Sequence, residues 1–225
     1  MFAQEAREIG TILGSLRAEA LSPCLNIGSG TAEMRQRWQP HMHAEIFGPL
    51  DARGVRVVHQ DLHDAPGVDI PGDLYDPLVR SRLTAMAPRL VLCCNLLEHV
   101  TDRASLIGLL RDLVPPGGLL LVTVPFSFQY HADPIDTMYR PSPAELAGAF
   151  RGFEVLEQRT IDIGRMWGEF REGGGLGTAA WRFGRFLTRM VTWAGRGRAW
   201  LSHVHSTLWL LRARKVSLIL VRRPG

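Results

Sequence analysis

The sequence holds 225 residues, 46% hydrophobic and 21% charged, which suits one folded domain and excludes a disordered, collagenous or coiled-coil chain. The net charge of +4 is unevenly spread: residues 165–225 carry twelve Arg or Lys against two Glu, leaving fourteen against twenty in residues 1–164. No apolar run approaches the ~18 residues of a spanning helix, and three cysteines, Cys24, Cys93 and Cys94, sit in apolar runs where reduced, buried thiols belong, which excludes a disulfide scaffold.

Met1 to Leu16 carries Glu5, Arg7 and Glu8 in an amphipathic pattern without the apolar core of a secretory signal, so a cytoplasmic location is expected. The first 20 residues read as a helix packed on a sheet, with Ile9, Ile12, Leu13 and Leu16 at helical spacing. Cys24 to Ile27 predicts a strand, Gly28-Ser29-Gly30-Thr31 a turn, and the next stretch a helix ending near Trp38. An irregular segment is expected around Pro40 and Pro49. Val55 to His59 predicts a second strand ending at Asp61, and Gly67 to Gly72 a short third. A helix follows from Pro77 to Ala87, then a fully apolar strand, Leu90 to Cys94, a helix from Asp102 to Leu113, and a hard stop at Pro115-Pro116-Gly117-Gly118 before the strand Leu119 to Val124.

Ser142-Pro143-Ala144-Glu145 is a capping box that should open a helix running to Phe150. Phe153 to Thr160 and Lys215 to Val221 predict the last two strands. Residues 165–212 between them form an insertion, with a hinge at Gly173-Gly174-Gly175 and two helical pieces separated by Gly195 and Gly197. Continuous apolar strands alternating with helices imply an α/β, doubly wound, Rossmann-like and mostly parallel sheet with helices on both faces, one domain over residues 1–225.

A glycine turn after the first strand of such a sheet offers backbone N–H groups and a helix N-terminus to a cofactor. The third glycine of a dinucleotide fingerprint would fall at position 33, which is Glu33, so a nicotinamide dinucleotide is disfavoured and an oxidoreductase is the weakest reading. Asp61, at the end of the second strand, is the expected ribose ligand in preference to Asp51, which precedes that strand. The only lysine, Lys215, lies in the last strand, which leaves Schiff-base and P-loop chemistry without a suitable residue.

Asn26-Ile27-Gly28-Ser29-Gly30-Thr31, Gly72-Asp73, Asn95-Leu96-Leu97-Glu98-His99-Val100 and Leu113-Val114-Pro115-Pro116-Gly117-Gly118 together resemble, in order and spacing, the class I S-adenosylmethionine-dependent methyltransferases, in the branch with a "LEHV" motif. The resemblance covers about residues 20–160. It implies that Gly28 and Gly30 approach the methionine portion of S-adenosylmethionine, that Asp61 binds its ribose, that Asp73 and Leu74 lie near the adenine, and that Asn95 borders the cofactor. Asn26 departs from the pattern, which usually has an acid there; it keeps a hydrogen-bonding side chain and loses the charge.

Methyl transfer needs a positioned acceptor and, for a hydroxyl, a base. Two loops supply candidates: Glu98-His99, and the segment from Tyr130 to Arg140, which resembles the "H-x-x-P-x-D-x-x-R-x" loop of methyltransferases associated with bacterial surface glycan synthesis. His131 is the expected general base, with Asp133 or Asp136 orienting it or binding acceptor hydroxyls, and His99 is a further catalytic candidate. Glu98-His99 also resembles part of a metal-binding motif of some relatives, completed there by an acid three residues earlier; that position is Asn95, two ligands do not make a site, and no metal is expected. His59-x-Asp61-x-His63 and His41-x-His43 read as solvated histidines before a metal site.

In the insertion, Arg182, Arg185 and Arg189 recur at helical spacing between Phe183, Phe186, Leu187 and Met190, and Trp200, Val204, Leu208 and Leu211 form a second stripe. This pattern fits a lid on the domain, a helix lying at a membrane interface through residues 177–212, which would place the protein peripherally at the inner membrane surface, or, as the weakest of the three, a nucleic-acid contact. The expected function is methyl transfer to an oxygen of a small-molecule, sugar, glycan or lipid-linked glycan acceptor. The alternative is a noncatalytic module that binds a nucleoside or docks a membrane or partner.

Overall fold

A computed structural model describes residues 1–131, 135–166 and 175–225. Asp133, Trp167 and two glycines of the expected hinge, Gly173 and Gly174, lie outside the described residues. Seven strands, β1 (Cys24–Ile27), β2 (Val57–Asp61), β3 (Ile70–Pro71), β4 (Leu90–Cys94), β5 (Leu119–Ser127), β6 (Glu154–Asp162) and β7 (Lys215–Arg222), form one sheet in the order β3-β2-β1-β4-β5-β7-β6. The pairs β2–β3, β1–β2, β1–β4 and β4–β5 are parallel, while β7 runs antiparallel to both β5 and β6. The sheet is therefore Rossmann-like and mostly parallel, and its last strand in sequence threads between two earlier ones. Burial from Val216 through Val221 follows from that central place, since both of its faces are covered.

Alternate residues of the strands feed two cores. Leu25, Ile27, Val91, Cys93, Leu120 and Val122 point to one face, and Cys24, Leu90, Leu92, Leu119, Leu121 and Leu218 to the other. The first face is covered by α4 (Pro77–Ala85), α5 (Arg103–Leu113) and α6 (Pro143–Ala149). Covering the second are α1 (Ala3–Ser15) and a helical run made of the π-helical turn Met34–Trp38, α2 (Pro40–Met42), the π-helical turn His43–Phe47 and α3 (Gly48–Ala52). Its first turn falls where a helix ending near Trp38 was expected, and from Pro40 on it replaces the irregular segment expected from Pro40 and Pro49. Pro40 falls in the first turn of a helical piece, where no intrahelical N–H is lost, Pro49 follows directly on the π-helical turn as the second residue of α3, and Met42, Ile46, Phe47 and Leu50 bury one face. Gly10 lets α1 lie against it, because a Cβ there would stand 2.2 Å from the Glu45 carbonyl oxygen.

Other boundaries shift little. The first helix stops at Ser15, with a separate turn of 3₁₀-helix at Ala18–Ala20. The Ser142–Glu145 capping box forms as expected, with the Ser142 side chain bonding the Glu145 N–H and the Glu145 carboxylate the Ser142 N–H. In the insertion, α7 (Leu176–Thr192) and α8 (Arg198–Ser206) are separated by a turn holding Gly195 and Gly197. They pack on each other through Trp200, whose Nε1 donates to the Met190 carbonyl at 2.8 Å, and through the His203 ring, 4.4 Å from that of Phe186. Phe186, Met166 and Trp209 make a separate small core. Among the described residues no helix is long and apolar enough to cross a membrane.

Candidate functional site

The carboxyl ends of β1, β2, β4 and β5 open into a cavity of about 810 Å³. Asn26, Gly28, Gly30, Asp61, Asp73, Leu74 and Asn95 all line it, and so do Glu98, His99 and His131. No described residue of the insertion does.

The glycine turn is held open by geometry that only glycine tolerates well. Gly28 and Gly30 have φ of +64° and +63°, and a Cβ on Gly28 would meet the Leu96 side chain at 3.2 Å. Behind the turn lies Arg35, buried, donating to the carbonyls of Ser29 at 3.1 Å, Gly30 at 2.6 Å and Gly67 at 2.7 Å. These bonds take up the carbonyl side of the turn. Burial lowers the pKa of Arg35 while Asp69 and Asp61 oppose the shift, and a guanidinium stays charged in either case. On the cavity side the Asp61 Oδ2 accepts from the Gly30 N–H at 2.7 Å, so turn and carboxylate are fixed relative to one another. Asp73 caps its own turn by accepting from the Tyr75 N–H at 2.9 Å.

Asn26, at the carboxyl end of β1, donates from Nδ2 to Nδ1 of His59 on β2 at 3.1 Å. Burial lowers the His59 pKa to about 4, and the Arg35 charge pushes the same way. His59 is therefore the neutral tautomer that accepts at Nδ1.

Asn95 adopts φ of +51°, a left-handed conformation asparagine accepts more readily than most residues. Its Nδ2 donates to the Oε1 of Glu5 at 2.7 Å, the same oxygen that accepts from Thr123 Oγ1 at 2.7 Å, and Glu5 Oε2 accepts from the Phe2 N–H at 3.2 Å. Glu5 is fully buried and ties α1 to the ends of β4 and β5. Sequence reasoning missed it as a support of Asn95, although a signal exists: Glu5 stands four residues before Ile9 on the apolar stripe of α1, where a carboxylate needs partners.

The two loops read as acceptor-side candidates are bolted together. Thr137 donates to the Glu98 carbonyl from N at 2.9 Å and from Oγ1 at 2.8 Å. His99 Nδ1 bonds the Ile135 carbonyl at 2.5 Å, and Arg103 lies over the Tyr139 ring at 4.6 Å. His131 stacks edge-on against His99, with ring centroids 5.1 Å apart, and against Phe128 at 5.7 Å. Asp136 sits behind His131: its Oδ2 accepts from the His131 N–H at 3.0 Å and from Arg140 at 2.5 Å, its Oδ1 from the Met138 N–H at 2.8 Å, and the His131 Nε2 is 3.9 Å away. Burial alone would raise the Asp136 pKa, but the Arg140 bond and the two backbone bonds outweigh it and hold the carboxyl below its ordinary value. The Asp136 side chain has no exposed surface, and both of its oxygens accept bonds from the loop itself.

Glu98 is 1% exposed. Its Oε1 is 3.6 Å from His99 Nε2, and its Oε2 has no hydrogen-bond partner among the described residues. Burial pushes its carboxyl up to about 8. The sequence offered Glu98 and His99 as a ligand pair; the fold adds His131, so that one ligand atom from each of the three lies within 4.8 Å of the others. Of the other histidines, His59 bonds Asn26 and His41 the Met1 carbonyl at 3.0 Å. Burial raises all three thiols, Cys94 to about 12, so none is a nucleophile near neutral pH.

No family model matches the sequence, and neither does any curated protein. Solved structures do. A putative sarcosine dimethylglycine methyltransferase from Galdieria sulphuraria matches with a TM-score of 0.55 at 10% identity, covering 98% of this chain and 84% of that one. The cyclase SpnF matches with a TM-score of 0.50 at 16% identity, over 97% of this chain and 80% of its own. Phosphoethanolamine N-methyltransferase 2 of Haemonchus contortus, solved with phosphomonomethylethanolamine and S-adenosylhomocysteine, matches with a TM-score of 0.50 at 14% identity, over 98% of this chain and 52% of its own. This chain thus spans about half the length of that enzyme. The strand order, the glycine turn after β1 and the antiparallel β7 give this chain the fold of the class I S-adenosylmethionine-dependent methyltransferases.

Proposed function

We propose that the chain binds S-adenosylmethionine in the cavity and transfers its methyl group to an oxygen of a sugar, glycan or lipid-linked glycan acceptor. One observation carries the reading: a single cavity is lined by the glycine turn, Asp61, Asp73, Leu74 and Asn95, and also by His99 and His131. Its volume of about 810 Å³ lies within the ~300–1,000 Å³ usual for cofactor and small-ligand sites. The residues fit the nucleoside. At Gly28 and Gly30 a Cβ would run into Leu96 at 3.2 Å and Met34 at 2.1 Å, so the turn presents bare backbone there, and Asp61 keeps lone pairs for two ribose hydroxyls beyond the bonds it accepts from the Gly30 and His63 N–H groups. Asp73 and Leu74 offer a polar and an apolar edge to an adenine.

The cofactor supplies a methyl group on a positively charged sulfur. The chain's part is to hold the acceptor in line with it and to take the acceptor's proton. His131 is the base, kept in place by the Asp136 and Arg140 pair behind it, and His99 borders the same space. As the hydroxyl oxygen bonds to the methyl carbon, its proton passes to the imidazole and the carbon–sulfur pair stays on sulfur. An amine arriving neutral would need no such base, which is why two histidines favour an oxygen acceptor.

The insertion supports a lipid-linked acceptor. Trp181, Leu187, Val191, Leu201, Leu208 and Leu211 are exposed, and Arg185 and Arg212 lie over Trp181 and Trp209 at 4.8 and 4.9 Å. Aromatic and aliphatic groups interleaved with arginine suit an anionic membrane surface.

Calorimetric titration with S-adenosylmethionine and S-adenosylhomocysteine, followed by transfer of labelled methyl to a panel of glycans and lipid-linked sugars, tests the proposal. Binding lost in Asp61→Ala is the expected result. No binding of either compound would overturn it and leave the exposed insertion as the better guide to a docking role.

A further inference from the structure

We infer that Glu98, His99 and His131 form a binding site for one divalent first-row transition-metal ion, of the zinc, manganese or ferrous kind, at the acceptor end of the cavity. Three observations converge. The Glu98 side chain is buried yet leaves Oε2 without a partner among the described residues, and Glu98 lines the cavity. A buried carboxyl oxygen without a partner is costly, and a cation is a partner that imidazoles also accept. Second, the ligand atoms already lie within 4.8 Å of one another, with Glu98 Oε1 and His99 Nε2 at 3.6 Å. Bonds of ~2.0–2.2 Å to a tetrahedral ion put ligand atoms roughly 3.4 Å apart, a closure within reach of small side-chain rotations. Third, the supporting contacts of a metal site are present. The His99 Nδ1 is taken by the Ile135 carbonyl, which leaves the lone pair on Nε2 facing Glu98, and Asp136 holds the His131 backbone.

The donor set determines the ion. One carboxylate and two imidazoles suit zinc, ferrous iron, manganese or cobalt and are poorly matched to calcium or magnesium, which prefer oxygen throughout. Three protein ligands in a cavity wall leave positions open on the cavity side. An acceptor presenting neighbouring hydroxyls or a carboxylate would fill them, and its ionised form would be favoured by the ion's charge. With the ion bound His131 is a ligand, and the acceptor's proton leaves to solvent through the cavity mouth. This use of the site rests on the methyltransferase reading; the site itself does not.

The test uses the full chain stripped with a chelator and then titrated with Zn²⁺, Mn²⁺ and Mg²⁺ in separate calorimetric runs, with Co²⁺ loading followed by visible absorption. We expect one equivalent of Zn²⁺ or Mn²⁺ per chain, at least tenfold weaker Mg²⁺ binding, and a Co²⁺ spectrum of mixed nitrogen and oxygen ligation. Glu98→Gln, which preserves shape, and His99→Ala should each weaken Zn²⁺ binding at least tenfold, while thermal unfolding reports whether each variant folds. No stoichiometric binding, or binding unchanged in a folded Glu98→Gln together with a folded His99→Ala, overturns the site. S-adenosylhomocysteine titration of the same samples reads the other proposal separately: metal binding without nucleoside binding keeps the site and removes the methyltransferase reading, and the converse does the opposite.

Discussion

The amide of Asn26 donates to Nδ1 of His59 at 3.1 Å, joining the floor of the cavity to a half-buried imidazole held neutral. That bond exists only while Nδ1 carries a lone pair. Because burial lowers the folded-state pKa from 6.5 to about 4, the unfolded chain takes up the proton first as pH falls. The stability that neutral His59 contributes is complete above pH 6.5, declines as pH falls from 6.5 toward 4, and changes no further below that. Thermal midpoints between pH 7.5 and 4 should fall, and fall less steeply in His59→Gln; equal slopes would assign the acid sensitivity to other groups.

Asp61 makes one bond whose loss can be separated from its charge. Its Oδ2 accepts from the Gly30 N–H at 2.7 Å, a bond that Asn keeps and Ala does not. Hydrogen bonds to a charged group contribute about 1.5–3 kcal/mol each, so Asp61→Ala should weaken S-adenosylhomocysteine binding at least a hundredfold and Asp61→Asn about tenfold. Calorimetry orders the two, and equal affinities in all three proteins would remove Asp61 from the cofactor's contacts.

Glu5 shows where the sequence was readable and where it was not. The glycine turn, Asp61 and the Asn95 to Val100 segment are local patterns whose backbone conformation follows from the residues themselves, and the strands follow from continuous apolar runs. The helical run from Pro40 to Ala52 escaped because its two prolines look like breaks. Position β7 between β5 and β6 escaped because strand order is set by which edges meet after the insertion, not by the strand's own residues. Neither Glu5 reaching Asn95 nor His131 reaching Glu98 has a sequence spacing, since each contact is made by packing across the sheet's carboxyl edge.

Removing the Glu5 carboxylate strands three donors, Asn95 Nδ2, Thr123 Oγ1 and the Phe2 N–H. Glu5→Ala should lose about 3 kcal/mol of stability, the order expected when buried donors lose a charged acceptor, and Glu5→Gln about half as much, because one oxygen remains. Denaturant midpoints compare them. A Glu5→Ala protein as stable as the wild type would mean that water or Phe2 rearrangement satisfies those donors.

Asp136 is a positioning residue under this reading, since it touches His131 and Arg140 and not the cavity. Asp136→Asn keeps the shape and weakens the pair with Arg140. It should lower kcat at least tenfold while S-adenosylhomocysteine affinity stays within about threefold, since the loop lies at the acceptor end. Equal losses in both would mean that the loop supports the whole cavity.

The insertion offers the last separation. Arg185 and Arg189 lie over Trp181 and Trp193 at 4.8 and 5.2 Å, on the helix that leaves Trp181, Leu187 and Val191 exposed. A basic side chain near an anionic bilayer contributes about 1 kcal/mol, and reversing its sign at least doubles the change. The pair Arg185→Glu and Arg189→Glu should therefore reduce sedimentation with phosphatidylserine vesicles at least tenfold at low salt, with the wild-type binding itself falling as salt screens it. Because no described residue of α7 or α8 lines the cavity, turnover of a water-soluble acceptor should be unchanged by the same pair. Loss of soluble-acceptor turnover would instead assign the insertion to the domain as a lid, closing over the cavity in a conformation other than the one described.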